Sequence, residues 1–310
     1  MPSSLPLYTR ATQAPPVPQG LPLVIALTGF TDAGAAVAQT IEYLRDELDP
    51  EPVAVFSNDV LLDYRARRPL VTFDGDRLTE YQPARLELSL AHDALGAPFL
   101  LLAGYEPDFA WEAFARTVLY FADDYGVSSV TWVHAIPMPV PHTRPIGTTV
   151  SGTRAELTEA HSVWRPHTQV PGTIAHLLEY RFAEAGADVA GFVLLVPHYL
   201  GDTEYPAAAL AALDSITVAT GLVFGGDELR EENRAYLEKG QEQGEGSEEL
   251  SRMLKHLEEQ YDSYMAGSTQ ATPIIHTGDL PSADELAAEL ERFLASRPTG
   301  DDDKRGGARG

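Results

Sequence analysis

Cysteine is absent from the 310 residues, which removes disulfides, thiol nucleophiles and thiolate metal sites together and fits a reducing, cytoplasmic setting. Long apolar runs are absent too. The longest, around Pro98–Ala103 and Val189–Pro197, fall well short of the roughly 20 residues that span a bilayer, so no membrane segment is expected. The opening stretch, MPSSLPLYTRATQAPPVPQG, has no apolar centre of the signal-peptide kind and reads as an irregular arm. Positive charge is scarce: 22 Lys and Arg against 46 Asp and Glu leave a formal net charge of −24. Such a chain has little with which to hold phosphates, so nucleic acid is not an expected partner, while small ligands and proteins remain open. The nine histidines show no metal-ligand spacing. No Gly-x-Ser-x-Gly elbow, His-Glu-x-x-His pair, EF-hand loop or kinase set occurs either, and neither metal nor cofactor is expected.

What is present is an alternation. Pro22–Gly29 is a short continuous apolar run, the pattern of a strand covered on both faces, and Val37, Ile41, Leu44 and Leu48 follow at helical spacing. Further strand-like runs lie at Val53–Phe56, Phe99–Ala103, Ser129–Ala135 and Ala190–Val196. A helix with Trp111, Phe114, Val118 and Phe121 on one face is expected after Asp108, which can cap it, and Gly126 ends it. Another opens near Thr173, turns Ile174, Leu178 and Phe182 inward and stops at Gly186. Strand–helix alternation predicts an α/β fold with right-handed crossovers and a mainly parallel, mixed sheet between helix layers. Between Pro69 and Leu90 the texture changes to short alternating runs around Asp74-Gly75-Asp76, predicting an antiparallel hairpin or meander added to that sheet.

The expected organisation is an irregular arm over 1–20, an α/β core over 21–226, a helical hairpin over 227–266, a returning segment and final helix over 267–297, and a disordered tail over 298–310. The hairpin rests on two stripes: Leu229, Asn233 and Tyr236, then Leu250, Leu254, Leu257, Tyr261 and Tyr264 at coiled-coil intervals. The final helix opens on the capping box Ser282/Glu285.

Four turns can carry chemistry, because ligands of such sheets bind beyond the strands' carboxyl ends. Thr28-Gly-Phe-Thr-Asp-Ala-Gly34 joins a buried strand to a helix N-terminus; Asp32 fits a capping role there, or a part in ligand binding or catalysis. Asp63-Tyr-Arg-Ala-Arg-Arg-Pro69 crowds three arginines, so Tyr64, Arg65 and Arg68 suit an anion or the protein's own carboxylates. In Ala135–Pro145 the prolines stiffen a loop that aims His142, Thr143 and Arg144, either for recognition or merely as a cover on the core. Pro197-His-Tyr-Leu-Gly-Asp-Thr-Glu-Tyr-Pro206 adds His198 and Tyr205, as ligands or as structural hydrogen-bonders.

Gly29-Phe-Thr-Asp-Ala-Gly34, Asp63-Tyr-Arg-Ala-Arg-Arg-Pro69, Ile136-Pro-Met-Pro-Val-Pro-His-Thr-Arg-Pro145 and Pro197-His-Tyr199 together resemble the actinobacterial branch of the proteasome assembly chaperone two family. The resemblance spreads over most of residues 20–265. It implies a three-layer α/β/α fold like that of nucleoside phosphorylases and peptidyl hydrolases. It also implies a homo-oligomer, with a trimer as the leading expectation and another protein complex as a further partner. Eukaryotic members help proteasome α-rings assemble, and their hydrophobic-Tyr-x C-terminus engages a proteasome pocket; this chain ends Gly306-Gly-Ala-Arg-Gly310, which points away from that docking mode. The function expected is therefore that of a non-catalytic protein-binding or assembly protein. The alternatives are a hydrolase or phosphorylase acting on a small molecule, built on Asp32, Arg65, Arg68, His142 and Arg144, or an anion-binding sensor.

Overall fold

Strand β2 (Pro22–Thr28) alternates its side chains between two cores. Leu23, Ile25 and Leu27 enter one, while Val24 and Ala26 enter the other, as the two-residue period of a strand requires. A computed structural model of the chain describes residues 6–165, 167–244 and 248–267. The returning segment beyond Gly267, the helix expected at Ser282 and the tail over 298–310 lie outside the described residues.

After β2 come helix α1 (Ala36–Leu48), strand β3 (Glu51–Phe56), the single turn α2 (Asn58–Leu61), and strands β4 (Leu70–Asp74), β5 (Arg77–Gln82), β6 (Leu86–His92) and β7 (Pro98–Tyr105). Then follow α3 (Trp111–Asp124), β8 (Ser129–Met138), β9 (Thr148–Gly152), α4 (Ala155–His161), α5 (Ile174–Glu184), β10 (Val189–Pro197), α6 (Pro206–Thr220), α7 (Asp227–Gly244) and α8 (Glu248–Gly267). The main sheet has the order β1-β3-β6-β7-β2-β8-β10-β9, where β1 is Tyr8–Arg10. β7, β2, β8 and β10 are parallel neighbours. β6 runs against both β7 and β3, β1 against β3, and β9 against β10. It follows that β2, β3, β7, β8 and β10 all point one way, so the mixed sheet is mainly parallel in direction. Helices α1 and α6 pack on one face, and α3 and α5 on the other, giving the three-layer α/β/α architecture.

Three expectations need refinement. The arm over 1–20 is not wholly irregular, because Tyr8–Arg10 pairs with β3 as an edge strand. β4 and β5 form a separate two-stranded sheet, so only β6 of the segment 69–90 joins the main sheet. On β6 itself Glu87 is buried, and Arg45 and Arg85 answer it at 3.8 and 2.7 Å. Finally, the stripes on α7 and α8 face the α/β body. Leu229 is buried in the core beneath α6, and the Tyr261 and Tyr264 hydroxyls donate to the carbonyls of Pro145 and Val163; Leu250 lies outside the described side chains.

One close approach fixes the sheet against α5. A Cβ on Gly191 would fall 2.1–2.4 Å from the Trp132 indole, itself fully buried and donating from Nε1 to Glu179 at 2.8 Å. Gly191→Ala therefore forces the indole or the strand to shift, and urea unfolding should show a loss of about 1–3 kcal/mol. An unchanged midpoint would mean that the indole has room to move.

Candidate functional site at the carboxyl edge of the sheet

Because β2, β3, β7, β8 and β10 share a direction, the turns that follow them all open on one rim, and all four sequence-selected segments are among them. After β2, Gly34 (φ 69°) and Ala35 (φ 49°) put a kink between a 3-10 turn and α1. The Asp32 carboxylate reaches past this kink to accept from Val37 and Ala38 N–H at 2.8 and 2.9 Å. Burial raises its pKa, and these two bonds act against that rise. The positive end of α1 is thus filled by the chain's own carboxylate, the capping role, although the cap position itself belongs to Ala35.

The same turn meets the one after β10. Gly34 N–H donates to the Gly201 carbonyl at 2.8 Å, and Tyr205 N–H to that of Gly34 at 2.9 Å. Tyr205 is buried, its ring lies 5.5 Å from that of Tyr236 in α7, and burial pushes its phenol up to about 12. From the β8 turn, His142 N–H donates to the Tyr199 hydroxyl at 2.8 Å, and His142 Nδ1 lies 2.8 Å from the same oxygen. The Tyr199 hydroxyl thus holds both the backbone and the ring of His142. Burial lowers the pKa of the imidazole, and Glu258 acts against that. His198 is exposed, edge-on to Tyr199 at 5.4 Å. Arg144 grips Asp262 of α8 through Nε at 2.8 Å and Nη2 at 2.6 Å, and Thr143 donates to Glu258.

The turns after β3 and β7 form a second group. Arg67 pairs with Asp108, donates to the Glu106 carbonyl at 2.6 Å and lies 5.1 Å over the Tyr105 ring. Asp108 also accepts from Asp63 N–H at 2.7 Å, so it ties this loop down rather than capping α3, whose cap position is Ala110. Arg65 and Arg68 are exposed and make no ion pair among the described residues, and the Tyr64 hydroxyl donates to Asp59 at 3.2 Å. Of the three arginines, the anchored one is Arg67, which the spacing did not single out.

Between the two groups lies a buried set that sequence reasoning missed. The Glu106 carboxylate accepts from Ile174 N–H, at the start of α5, at 2.6 Å. Burial raises its pKa, opposed by that bond, by Arg67 and by the Phe30 N–H. A Cβ on Gly29 would stand 3.3 Å from Glu106 Oε2 and 3.8 Å from His134 Cε1, so glycine there lets carboxylate and imidazole close in. His134 is 5% exposed, and its ring nitrogens have no hydrogen-bond partner among the described residues. Burial, then His176, lowers its pKa to about 4. His176 Nδ1 accepts from Thr173 N–H at 3.0 Å and closes the capping box of α5. The available signal was a histidine at an inward position of an otherwise apolar strand. Among the described residues, no three His, Asp or Glu side chains are placed to hold a metal ion, and no helix is long and apolar enough to cross a membrane.

The family-wide sequence model of the PAC2 family matches residues 26–243. The chain belongs to the PAC2 family. Its structure is similar to that of a Mycobacterium tuberculosis protein of unknown function, at 41% identity and TM-score 0.78, over 84% of this chain and 92% of the other. It is also similar to a Corynebacterium glutamicum protein of unknown function, at 35% identity and TM-score 0.80, over 84% and 98%. A proteasome-assembly chaperone homologue from M. tuberculosis shares the fold at 22% identity and TM-score 0.68, over 76% of this PAC2 chain and all of the other. No curated protein matches the sequence.

The buried histidine of this PAC2 protein sets a pH dependence. The unfolded chain protonates His134 near pH 6.5, whereas the native chain does so only near 4. The unfolded state therefore binds the extra proton throughout that window. The stability this group contributes is complete above about pH 6.5 and falls by on the order of 3 kcal/mol as pH drops towards 4. The raised carboxyls of Glu106 and Glu179 work in the opposite direction as pH falls. In urea unfolding from pH 7.5 to 4.5, His134→Gln should therefore lose less stability than the wild type. Parallel pH profiles would mean that the native imidazole titrates normally.

Proposed function

We propose that this PAC2 protein is a non-catalytic, assembly-chaperone-like protein that binds protein surfaces, acts in the cytoplasm and associates with itself, with three copies as the expected number. The observation that carries this reading is the β4–β5 hairpin. Leu70, Phe73, Leu78 and Tyr81 are 70, 72, 66 and 58% exposed, on a two-stranded sheet that packs in neither core. An isolated hairpin is marginally stable in water, and clustered exposed apolar side chains mark a contact surface. The exposed Arg65 and Arg68 just before the hairpin suit an acidic face, and a chain of net charge −24 presents one on a second copy of itself. The fold shared with a proteasome-assembly chaperone homologue supports the same reading. The rim adds to it, because Asp32, His142 and Arg144 are already engaged within the chain. A small-molecule enzyme or sensor is the second reading, favoured by the unpartnered nitrogens of His134 beside Glu106.

The double substitution Phe73→Ser/Leu78→Ser removes apolar surface that is already in water, so unfolding stability should change by no more than about 0.5 kcal/mol. Size exclusion with light scattering should show a multiple of the 33.7 kDa chain mass for the wild type and a smaller assembly for the variant. A wild type of single-chain mass, or a variant that assembles identically, would end the proposal that the hairpin joins copies.

A further inference from the structure

The contacts between the β8 turn and α8 have the character of a receptor holding a ligand. Arg144 meets both oxygens of Asp262 side-on, and its Nη1 lies 3.6 Å from Glu258. Thr143 donates to Glu258, and the Tyr261 hydroxyl donates to the Pro145 carbonyl at 3.3 Å. Glu258 and Asp262 stand one helical turn apart with Tyr261 between them, so three residues of loop, Thr143, Arg144 and Pro145, read two carboxylates and a tyrosine from one helix face.

The two sides of this contact are unequally anchored. Pro137, Pro139, Pro141 and Pro145 fix the loop's backbone angles, and Tyr199 holds both the backbone and the ring of His142. The loop therefore keeps its shape without a helix on it. Among the described residues α8 buries one side chain, Leu257, and the Tyr264 bond to Val163 joins the polar contacts just named in tying it to the body. Exposed ion pairs contribute little each and are screened by salt. A preset loop facing the charged side of a helix across reversible polar contacts is the arrangement of an exchangeable occupant.

We propose that Thr143, Arg144 and the Pro145 carbonyl form a docking site for an acidic helix of a protein partner, one carrying two carboxylates a turn apart with a tyrosine between, and that α8 is the resident competitor. The chemistry of the partner follows from that of the present occupant, and the inference rests on the protein-binding reading above. A tethered α8 is presented at an effective concentration on the order of millimolar, so a free helix competes poorly until α8 is neutralised or drawn away.

The test uses the full chain and a fluorescent peptide of residues 248–267, titrated by anisotropy at low salt. The variant Glu258→Gln/Asp262→Asn, with its resident helix uncharged, should bind the peptide at least tenfold more tightly than the wild type. Adding Arg144→Ala should abolish that gain, and a peptide with the same two neutral residues should not bind. Hydrogen exchange on the wild type keeps the question open to test should the variant fold poorly: excess charged peptide should accelerate exchange in the resident α8 and leave β8 and β10 unchanged. Equal binding by wild type and variant, binding indifferent to Arg144→Ala, or no acceleration in α8 would overturn the inference. Self-association that persists while peptide binding fails removes this site alone; peptide binding by a hairpin variant that no longer assembles removes only the hairpin as the joint.

Discussion

A sheet covered on both faces must satisfy every backbone hydrogen bond internally and still lead each strand out to water, and here five strands make that exit at the same edge. The constraint falls on β2 most heavily. It lies between β7 and β8, feeds both cores by alternation, and ends at Thr28, just before Gly29, whose absent side chain lets Glu106 and His134 approach. Moving the register of β2 by one residue would exchange its two apolar faces and displace the turn that meets both Gly201 and Tyr205. The rim is therefore a consequence of core packing, and its polar groups are positioned by the same apolar alternation that stabilises the fold.

Much of this was legible in the chain. The apolar runs became β2, β3, β7, β8 and β10, and the helical stripes beginning at Val37, Trp111 and Ile174 became α1, α3 and α5, because period and burial are properties of adjacent residues. Pairing was less legible. The run at Val53–Phe56 resembles those of the parallel strands, yet the partners of β3 are β6 and β1, both antiparallel. Nothing in Val53–Phe56 differs between those cases, since the neighbour is chosen by chain closure elsewhere. The hairpin was recognised as antiparallel, but that it stands apart from the main sheet depends on what does not pack against it.

The site shows the same division. Polar turns were found because Pro, Gly and clustered Arg are local signals. Glu106, His134 and His176 were passed over because each sits in a segment with an ordinary explanation: a turn, an apolar strand and a helix start. Their proximity is a property of β2, β7, β8 and α5 together. Conversely Arg65 and Arg68 attracted notice by crowding, while the anchoring falls to Arg67, whose guanidinium lies over Tyr105 and beside Asp108. Which of several equivalent cations meets a carboxylate depends on angles around one loop, and composition carries no record of them.

The two flanks of the rim differ in a way that bears on assembly. The side fed by β3 carries an apolar hairpin next to Arg65 and Arg68, which make no ion pair among the described residues, and the side fed by β8 and β10 is covered by α8, whose Glu258 and Asp262 face the loop while Glu259 points to Lys255 on the helix itself. Surfaces of opposite character on one molecule favour contacts between unlike patches of neighbouring copies over contacts between like patches. A contact between unlike patches either closes into a ring or continues into a filament, depending on the rotation it imposes. Acidic repulsion between chains of net charge −24 opposes both outcomes at a distance. A short-range apolar contact with arginines at its border is the kind that overcomes such repulsion only where the patches fit.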